Sequence, residues 1–386
     1  MPHLDRRHLI LAAAGAAAAA PASWGRPAQA PSPISLPRDH GSHPEQRIEW
    51  WYVTGFLSPQ GAATPSHGFQ LTFFRLRQPL QQALDSPFSP EQLLLAHAAL
   101  SDLGAQRLWH DQRLARLGSG LAPGLGKALA AQADCHLRLD DWQLQRQALP
   151  SGLSRYRLAL NSPGAGFALA LDLAAPLPPL LQGEQGLSRK GPRPEQFSRY
   201  VSEPQLRGRG DLQRQGERGR IQRQPMQALA WLDHEWSDQL LGDEAHPQDQ
   251  AVGWDWLGAN LDDGSALTLF QLRRADGSVL WRGGSWRDAQ GRLQDWTGLP
   301  QAQLHWQAHT HWTSPLSQAR YPTSWQLRTP RGELRLEALF DAQEVDARRS
   351  TGFLYWEGAA RLRDAQGRPL GWGYLEMTGY AGRVPL

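Results

Sequence analysis

The chain is poor in sulfur: its 386 residues include one cysteine, Cys135, and three methionines. A single thiol excludes an internal disulfide, so the fold must be held by core burial alone. Cys135 lies between Asp134 and His136, before a strand-like Leu-Arg-Leu. No helix start stands near it to lower its pKa, which argues against a reactive thiol. Long apolar runs are also scarce. The one mildly apolar stretch, residues 9–20, falls short of the roughly 20 residues that span a bilayer, and no transmembrane segment is expected. Glycine-rich phosphate loops are missing, and nothing in the sequence calls for a cofactor. There is no Gly-x-Ser-x-Gly elbow; Gly284-Ser285-Trp286 comes nearest and reads as strand. His234-Glu235 invites comparison with a zinc-protease helix, but position 238 is aspartate and the surroundings are strand-like. An excess of one charge is lacking too, with 40 Lys and Arg against 37 Asp and Glu. The most basic stretch, residues 207–223, is rich in glycine and glutamine without interleaved aromatics. It reads as a solvated hairpin or linker, and no nucleic-acid partner is expected.

What is present begins with an export signal. Arg6 and Arg7 precede the alanine-rich run, and Ala28-Gln29-Ala30 offers a small-x-small cleavage pattern, so residues 1–30 read as a removed signal of the twin-arginine type, leading to the periplasm. Its removal takes away three arginines and one aspartate, and the formal net charge falls from +3 to about +1.

Helical periodicity of ten residues or more is hard to find; residues 117–133 come closest and are broken by Pro123 and Gly124. Short alternating runs punctuated by turn residues dominate instead, as at residues 137–139 and 156–160, with Asp-Gly turns at 263–264 and 276–277. This is an all-β reading. The chain reads as two strand series, 31–220 and 221–386, with a proline- and glycine-rich excursion at residues 176–194 late in the first. Each is opened by a tryptophan-rich stretch: Glu-Trp-Trp-Tyr-Val-Thr-Gly at 49–55 and Trp-Leu-Asp-His-Glu-Trp at 231–236. Side chains alternate along a strand. Trp50 and Tyr52 therefore share one face and Glu49 and Trp51 the other, while Asp233 and Glu235 oppose His234 and Trp236. Two strand series in one chain suggest two packed barrels, although two sandwiches would show the same strand count.

The 17 tryptophans each bring an indole N–H that wants a partner when buried. Such a composition suits a cavity for a flat or unsaturated apolar ligand, with Trp50, Trp51, Tyr52, Trp254 and Trp256 as candidate walls; the competing reading is a structural aromatic core. Asp233, His234, Glu235, Trp236 and Asp255 form the constellation best placed for chemistry. A neutral Asp in an apolar cavity can protonate an alkene, aromatic rings stabilise the cation, and His234 or Glu235 can activate water. A second constellation, His305, His309 and His311, has one parity on an expected strand. It lacks a carboxylate or cysteine at ligand spacing, and no metal is expected.

The Trp-rich stretches, Gly-Trp-Asp-Trp at 253–256 and Tyr-Pro-Thr-Ser-Trp at 321–325 together resemble the carotenoid 1,2-hydratases and the related AttH-type proteins, often labelled predicted secreted hydrolases. The resemblance covers the chain from about His43 onward. It implies two lipocalin-like (calycin) barrels and, carried over residue by residue, Asp255 as catalytic acid supported by His234 and Trp236. Those hydratases tend to place tyrosine where this chain has Gly253, and their aromatic run before Ser-Glu-Pro is thinned here to Arg199-Tyr200-Val201, which shifts the likeness towards the AttH-type branch. The sequence thus leads to an exported protein holding an apolar, lipid-like or isoprenoid ligand. The alternatives are a hydro-lyase adding water to an isoprenoid double bond, a secreted hydrolase, and a partner of an envelope transporter.

Overall fold

The computed structural model describes residues 33–77, 92–117, 127–216, 219–243 and 245–384. The expected export signal, and most of the weak helical pattern at residues 117–133, lie outside them; the described end of the latter is a strand. Ile34–Leu386 forms one compact unit. Among the described residues no helix is long and apolar enough to cross a membrane.

Among the described residues the first sheet has 13 strands: β1 (Ile48–Pro59), β2 (His67–Arg77), β3 (Gln92–Asp102), β4 (Arg107–Leu117), β5 (Ala128–Ala130), β6 (His136–Leu139), β7 (Trp142–Ala148), β8 (Ser154–Ser162), β9 (Phe167–Ala174), β10 (Leu180–Leu181), β11 (Leu187–Arg189), β12 (Phe197–Gln215) and β13 (Ile221–Ser237). The second has ten: β14 (Gly253–Leu261), β15 (Ala266–Arg273), β16 (Val279–Arg287), β17 (Leu293–Asp295), β18 (His305–Thr313), β19 (Arg320–Thr329), β20 (Gly332–Ala338), β21 (Glu344–Asp346), β22 (Leu354–Asp364) and β23 (Pro369–Met377). Every pairing is antiparallel. Each sheet curls into a barrel-like shape of the calycin kind. In the first, the ends of the sheet meet where Arg113 of β4 donates to Leu139 O at 3.3 Å and lies over the Trp142 ring at 4.4 Å.

The division expected near residue 220 does not coincide with the break between sheets. Residues 221–237 form β13, which pairs with β1 along its whole length and with β12, so the first sheet runs to Ser237 and the second begins at Gly253. The described parts of the basic stretch, residues 207–216 and 219–223, include the paired outer ends of β12 and β13.

Alternation decides which strands face water. In β7 and β8, Trp142, Leu144, Tyr156, Leu158 and Leu160 point inward, while Gln145, Arg157 and Asn161 are exposed. β1, the Trp231–Ser237 end of β13, β14 and much of β23 are instead covered on both faces, because they form the walls along which the barrels pack. Gln205 clamps this joint. It sits at a β-bulge with φ 60°, its N–H donates to Asn260 Oδ1 at 2.7 Å, and its amide reaches Leu261 O and Ser265 O at 2.9 and 2.8 Å. Gly68 allows the same close approach, since a Cβ there would stand 2.7 Å from Tyr374 Oη.

Candidate functional site

Between the two barrels lies a cavity of about 80 Å³, walled by Trp50, Phe74, Trp254, Trp256, Phe270 and Phe353. Strand parity places these side chains. Trp50 and Tyr52 leave the outer face of the first barrel, and Trp254 and Trp256 leave the outer face of the second. Tyr52 and Trp256 meet edge to face with centroids 5.2 Å apart. Trp231 and Trp256 do so at 6.2 Å.

Four carboxyl groups and one ammonium line this apolar space: Asp233, Glu235, Glu357, Glu376 and Lys190. Asp233 is 2% exposed and accepts hydrogen bonds from Tyr200 Oη at 2.7 Å, Ser202 Oγ at 2.6 Å and Trp231 Nε1 at 2.7 Å. Those three donors favour the carboxylate, yet burial, helped by the nearby Glu235, outweighs them and pushes the Asp233 pKa up to about 7. Tyr200 Oη accepts from Trp256 Nε1 at 2.9 Å, so the acid is tied to the aromatic wall across the joint. Glu235, two residues along the same strand face, is paired with Lys190 Nζ at 2.9 Å and accepts from Ser198 Oγ. Lys190 lies 4.1 Å over the Phe270 ring and 4.7 Å over Tyr200. Glu357 and Glu376 face each other across the β22–β23 ladder. Burial raises both; the charge of Glu376 adds to the rise at Glu357, and the charges of Glu235 and Asp233 add to the rise at Glu376.

His234 and Trp236 turn the other way, into the first barrel. His234 Nε2 lies 2.9 Å from Glu49 Oε1, and His43 Nδ1 reaches the same oxygen at 2.7 Å. Arg75 Nε donates to Glu49 Oε2 at 2.7 Å. With these partners Glu49 is held ionised despite complete burial, well below the usual carboxylate range. Trp51 stacks on His234 at 4.5 Å and Trp236 stacks on His43 at 3.9 Å. His43, Glu49 and His234 bring three donor atoms within 4.8 Å of one another, but each of the three atoms is already engaged in the hydrogen bonds of the network.

The sequence constellation is therefore split in three. Asp233 and Glu235 face the cavity, His234 and Trp236 face the first barrel, and Asp255 faces the interior of the second. Asp255 is fully buried and accepts from Gln271 Nε2 at 2.8 Å, Arg273 Nε at 3.0 Å and Tyr380 Oη at 2.9 Å. Of the expected walls, Trp50, Tyr52, Trp254 and Trp256 line the cavity, whereas Trp51 belongs to the core of the first barrel and donates to His40 O at 3.1 Å. The strand with His305, His309 and His311 slips register on both sides of Thr310, and the two shifts cancel, leaving His309 without a cross-strand partner in the ladder. His309 and His311 are exposed, and His305 is half-buried beside Gln301. Cys135 is buried, and that burial drives its thiol pKa upward. Ser285 donates to Gln182 at 2.7 Å inside the joint and has no histidine partner.

Sequence reasoning missed Lys190, Glu357 and Glu376 as cavity groups, and Tyr200 as the hydroxyl that links Asp233 to Trp256. For Glu357 and Glu376 a signal existed: each is a lone acid inside an apolar strand run, at 354–360 and 370–377. Lys190 reaches the site from the excursion before β12, which pattern alone could not place.

The fold and cavity define a class: a two-barrel calycin-like protein with buried acids and aromatic walls at the joint between barrels. The chain belongs to the AttH-like family, whose model matches residues 27–380. It is 40% identical to a protein from Nitrosomonas europaea assigned to AttH, over 92% of this chain and 99% of that one, with a TM-score of 0.77. Two more distant structures share the fold alone. Kievitone hydratase from Nectria haematococca is 13% identical over 89% of this chain and 92% of its own, with a TM-score of 0.61. CghA bound to Sch210972 is 10% identical over 86% of this chain and 88% of its own, with a TM-score of 0.52. No curated protein matches the chain significantly.

Proposed function

We propose that this protein binds an apolar, lipid-like molecule in the cavity between its barrels and adds water across a carbon–carbon double bond of that molecule. The observation that carries the reading is Asp233, a buried carboxyl with a pKa near 7 facing aromatic walls, with the lysine-paired Glu235 two residues along the same face. Asp233 gives its proton to one alkene carbon, so its O–H bond breaks as the C–H bond forms. The cation at the other carbon lies among Trp50, Trp254 and Trp256, where an aromatic ring contributes roughly 0.5–2 kcal/mol. The oxygen of water bonds to that carbon and its surplus proton passes to Glu235. Return of the proton from Glu235 to Asp233 restores the resting state.

The cavity sets the size of the reacting group. Its volume of about 80 Å³ exceeds the ~10–15 Å³ that one water occupies on the same measure, and falls far short of enclosing a full-length carotenoid. The reacting end of a larger isoprenoid, or a smaller apolar molecule, suits it better. Asp255, the acid implied by the hydratase resemblance, is the competing assignment. Its bonds to Arg273, Gln271 and Tyr380 hold it on the opposite face of β14 from the aromatic wall. Twin-arginine export to the periplasm is part of the reading, and rests on Arg6, Arg7 and the Ala-Gln-Ala site.

The test is to purify the mature protein from its native host, extract it with organic solvent, and identify the bound molecule by mass spectrometry. That molecule is then incubated with protein in ¹⁸O-labelled water. The expected result is a product heavier by one labelled water with the natural protein and with none from Asp233→Asn. Turnover retained in Asp233→Asn and lost in Asp255→Asn would return the acid's role to Asp255. Tight binding without any mass gain would leave a carrier.

A further inference from the structure

Asp233 and Glu235 account for one pair of the cavity's acids. The lining holds a second pair, Glu357 and Glu376, that the proposed chemistry does not use. Glu357 is 2% exposed, and neither of its carboxyl oxygens has a hydrogen-bond partner. Gln70 Oε1 and Tyr52 Oη, both buried, are also unpartnered. Tyr52, Tyr355 and Gln70 surround Glu357, and Glu376 stands opposite it in register. Like charges directly opposed across a ladder destabilise a sheet, and a buried acceptor left without a donor costs about 1–3 kcal/mol. The one ammonium lining the cavity, Lys190, is already taken by Glu235.

The shortage is specific in kind. Both oxygens of Glu357 and Oε1 of Gln70 are acceptors, and the Tyr52 hydroxyl beside them can give its proton to only one of the three, so this pair is short of donors. It is also short of positive charge, and its nearest walls are aromatic: Phe74, Phe353 and Tyr355. A hard divalent cation fits poorly, because it needs six or more oxygen ligands and aromatic walls supply none. A primary ammonium supplies three donors and one positive charge, and it is attracted to aromatic rings.

We propose that Glu357 and Glu376 form the binding site for a protonated amino group carried by the apolar ligand. The Gln70 carbonyl and the Tyr52 phenol complete the acceptor set. This rests on the cavity being the ligand site and is independent of whether Asp233 protonates an alkene. It narrows the ligand class to apolar amines.

The experiment is isothermal titration of the mature protein with decylammonium, decanol and decanoate, followed in parallel by tryptophan fluorescence. It is repeated with Glu357→Gln and Glu376→Gln, and thermal unfolding confirms that each variant is folded. Decylammonium is expected to bind tighter than decanol by roughly tenfold or more, with decanoate weakest. Either substitution should erase that preference and leave decanol affinity unchanged. Equal affinity for decylammonium and decanol, or a preference that survives in both variants, overturns the inference while the cavity reading stands. If no decyl compound binds, both fall together.

Discussion

Asp233 and His234 are adjacent in sequence and serve different interiors. The Asp233 carboxyl accepts from Tyr200 Oη at 2.7 Å in the cavity between the barrels, while His234 Nε2 lies 2.9 Å from Glu49 inside the first barrel. One step along an extended strand reverses the side chain. The two residues therefore make separable contributions, and substitutions can tell them apart.

At position 233 the separation shows in stability against pH. The folded pKa of Asp233 is about 7 and its ordinary value is 3.8. Between those values the folded protein retains a proton that the unfolded chain has released, so stability falls as pH rises through that window. Asparagine cannot titrate. Asp233→Asn should remove a slope of at most about 1.4 kcal/mol per pH unit, measured as the difference between urea unfolding curves of the two proteins from pH 4 to 7. A constant difference across that range would show that Asp233 is ionised in the folded state.

His97 acts in the opposite direction. Burial lowers its pKa from 6.5 to about 3, and it is held neutral between Tyr355 Oη at 2.9 Å and Ser350 Oγ at 2.8 Å. Here the unfolded chain binds the extra proton, so stability is lost as pH falls from 6.5 towards 3. His97→Gln should unfold at a lower pH than the natural protein in an acid titration followed by tryptophan fluorescence, even if it is less stable at neutral pH.

Glu49 is the charge on which the first barrel's buried network closes. Glu49→Ala leaves the Arg75 guanidinium buried without its carboxylate, and breaking a buried pair in this way costs about 3–5 kcal/mol. Chemical denaturation should show that loss. Ligand binding per folded molecule should change little, because Glu49 does not line the cavity.

Trp256 joins the wall to the acid. Trp256→Phe keeps an aromatic surface but removes the 2.9 Å donation to Tyr200 Oη. A loss of about 0.5–1.5 kcal/mol in stability is expected. The pH midpoint assigned to Asp233 should also move, since Tyr200 would be free to reorient. An unchanged midpoint would mean that the wall does not position the acid.

Much of the fold was legible because the strands alternate cleanly. The alternating runs at residues 137–139 and 156–160 lie in β6 and β8. The break between sheets was not legible near residue 220: β13 begins in a polar, exposed stretch that resembles a linker, and only its pairing with β1 and β12 reveals its place. The site was half legible. Parity already set Asp233 and Glu235 on the face opposite His234 and Trp236, yet proximity in sequence favoured reading all four as one cluster. Which face meets the second barrel depends on packing, and packing is not a local property of the sequence. The three bonds that hold Asp255 away from the cavity come from β15 and from beyond β23, and no spacing near residue 255 announces them.

The most direct test of the central claim is to follow the carboxyl carbons of ¹³C-labelled aspartate by NMR as pH is changed, in the natural protein and in Asp233→Asn. The account predicts one aspartate titrating with a midpoint near 7, absent from the variant. If every aspartate in the natural protein has already ionised below about pH 5, Asp233 holds no proton to give at neutral pH, and acid-catalysed hydration in this cavity is contradicted.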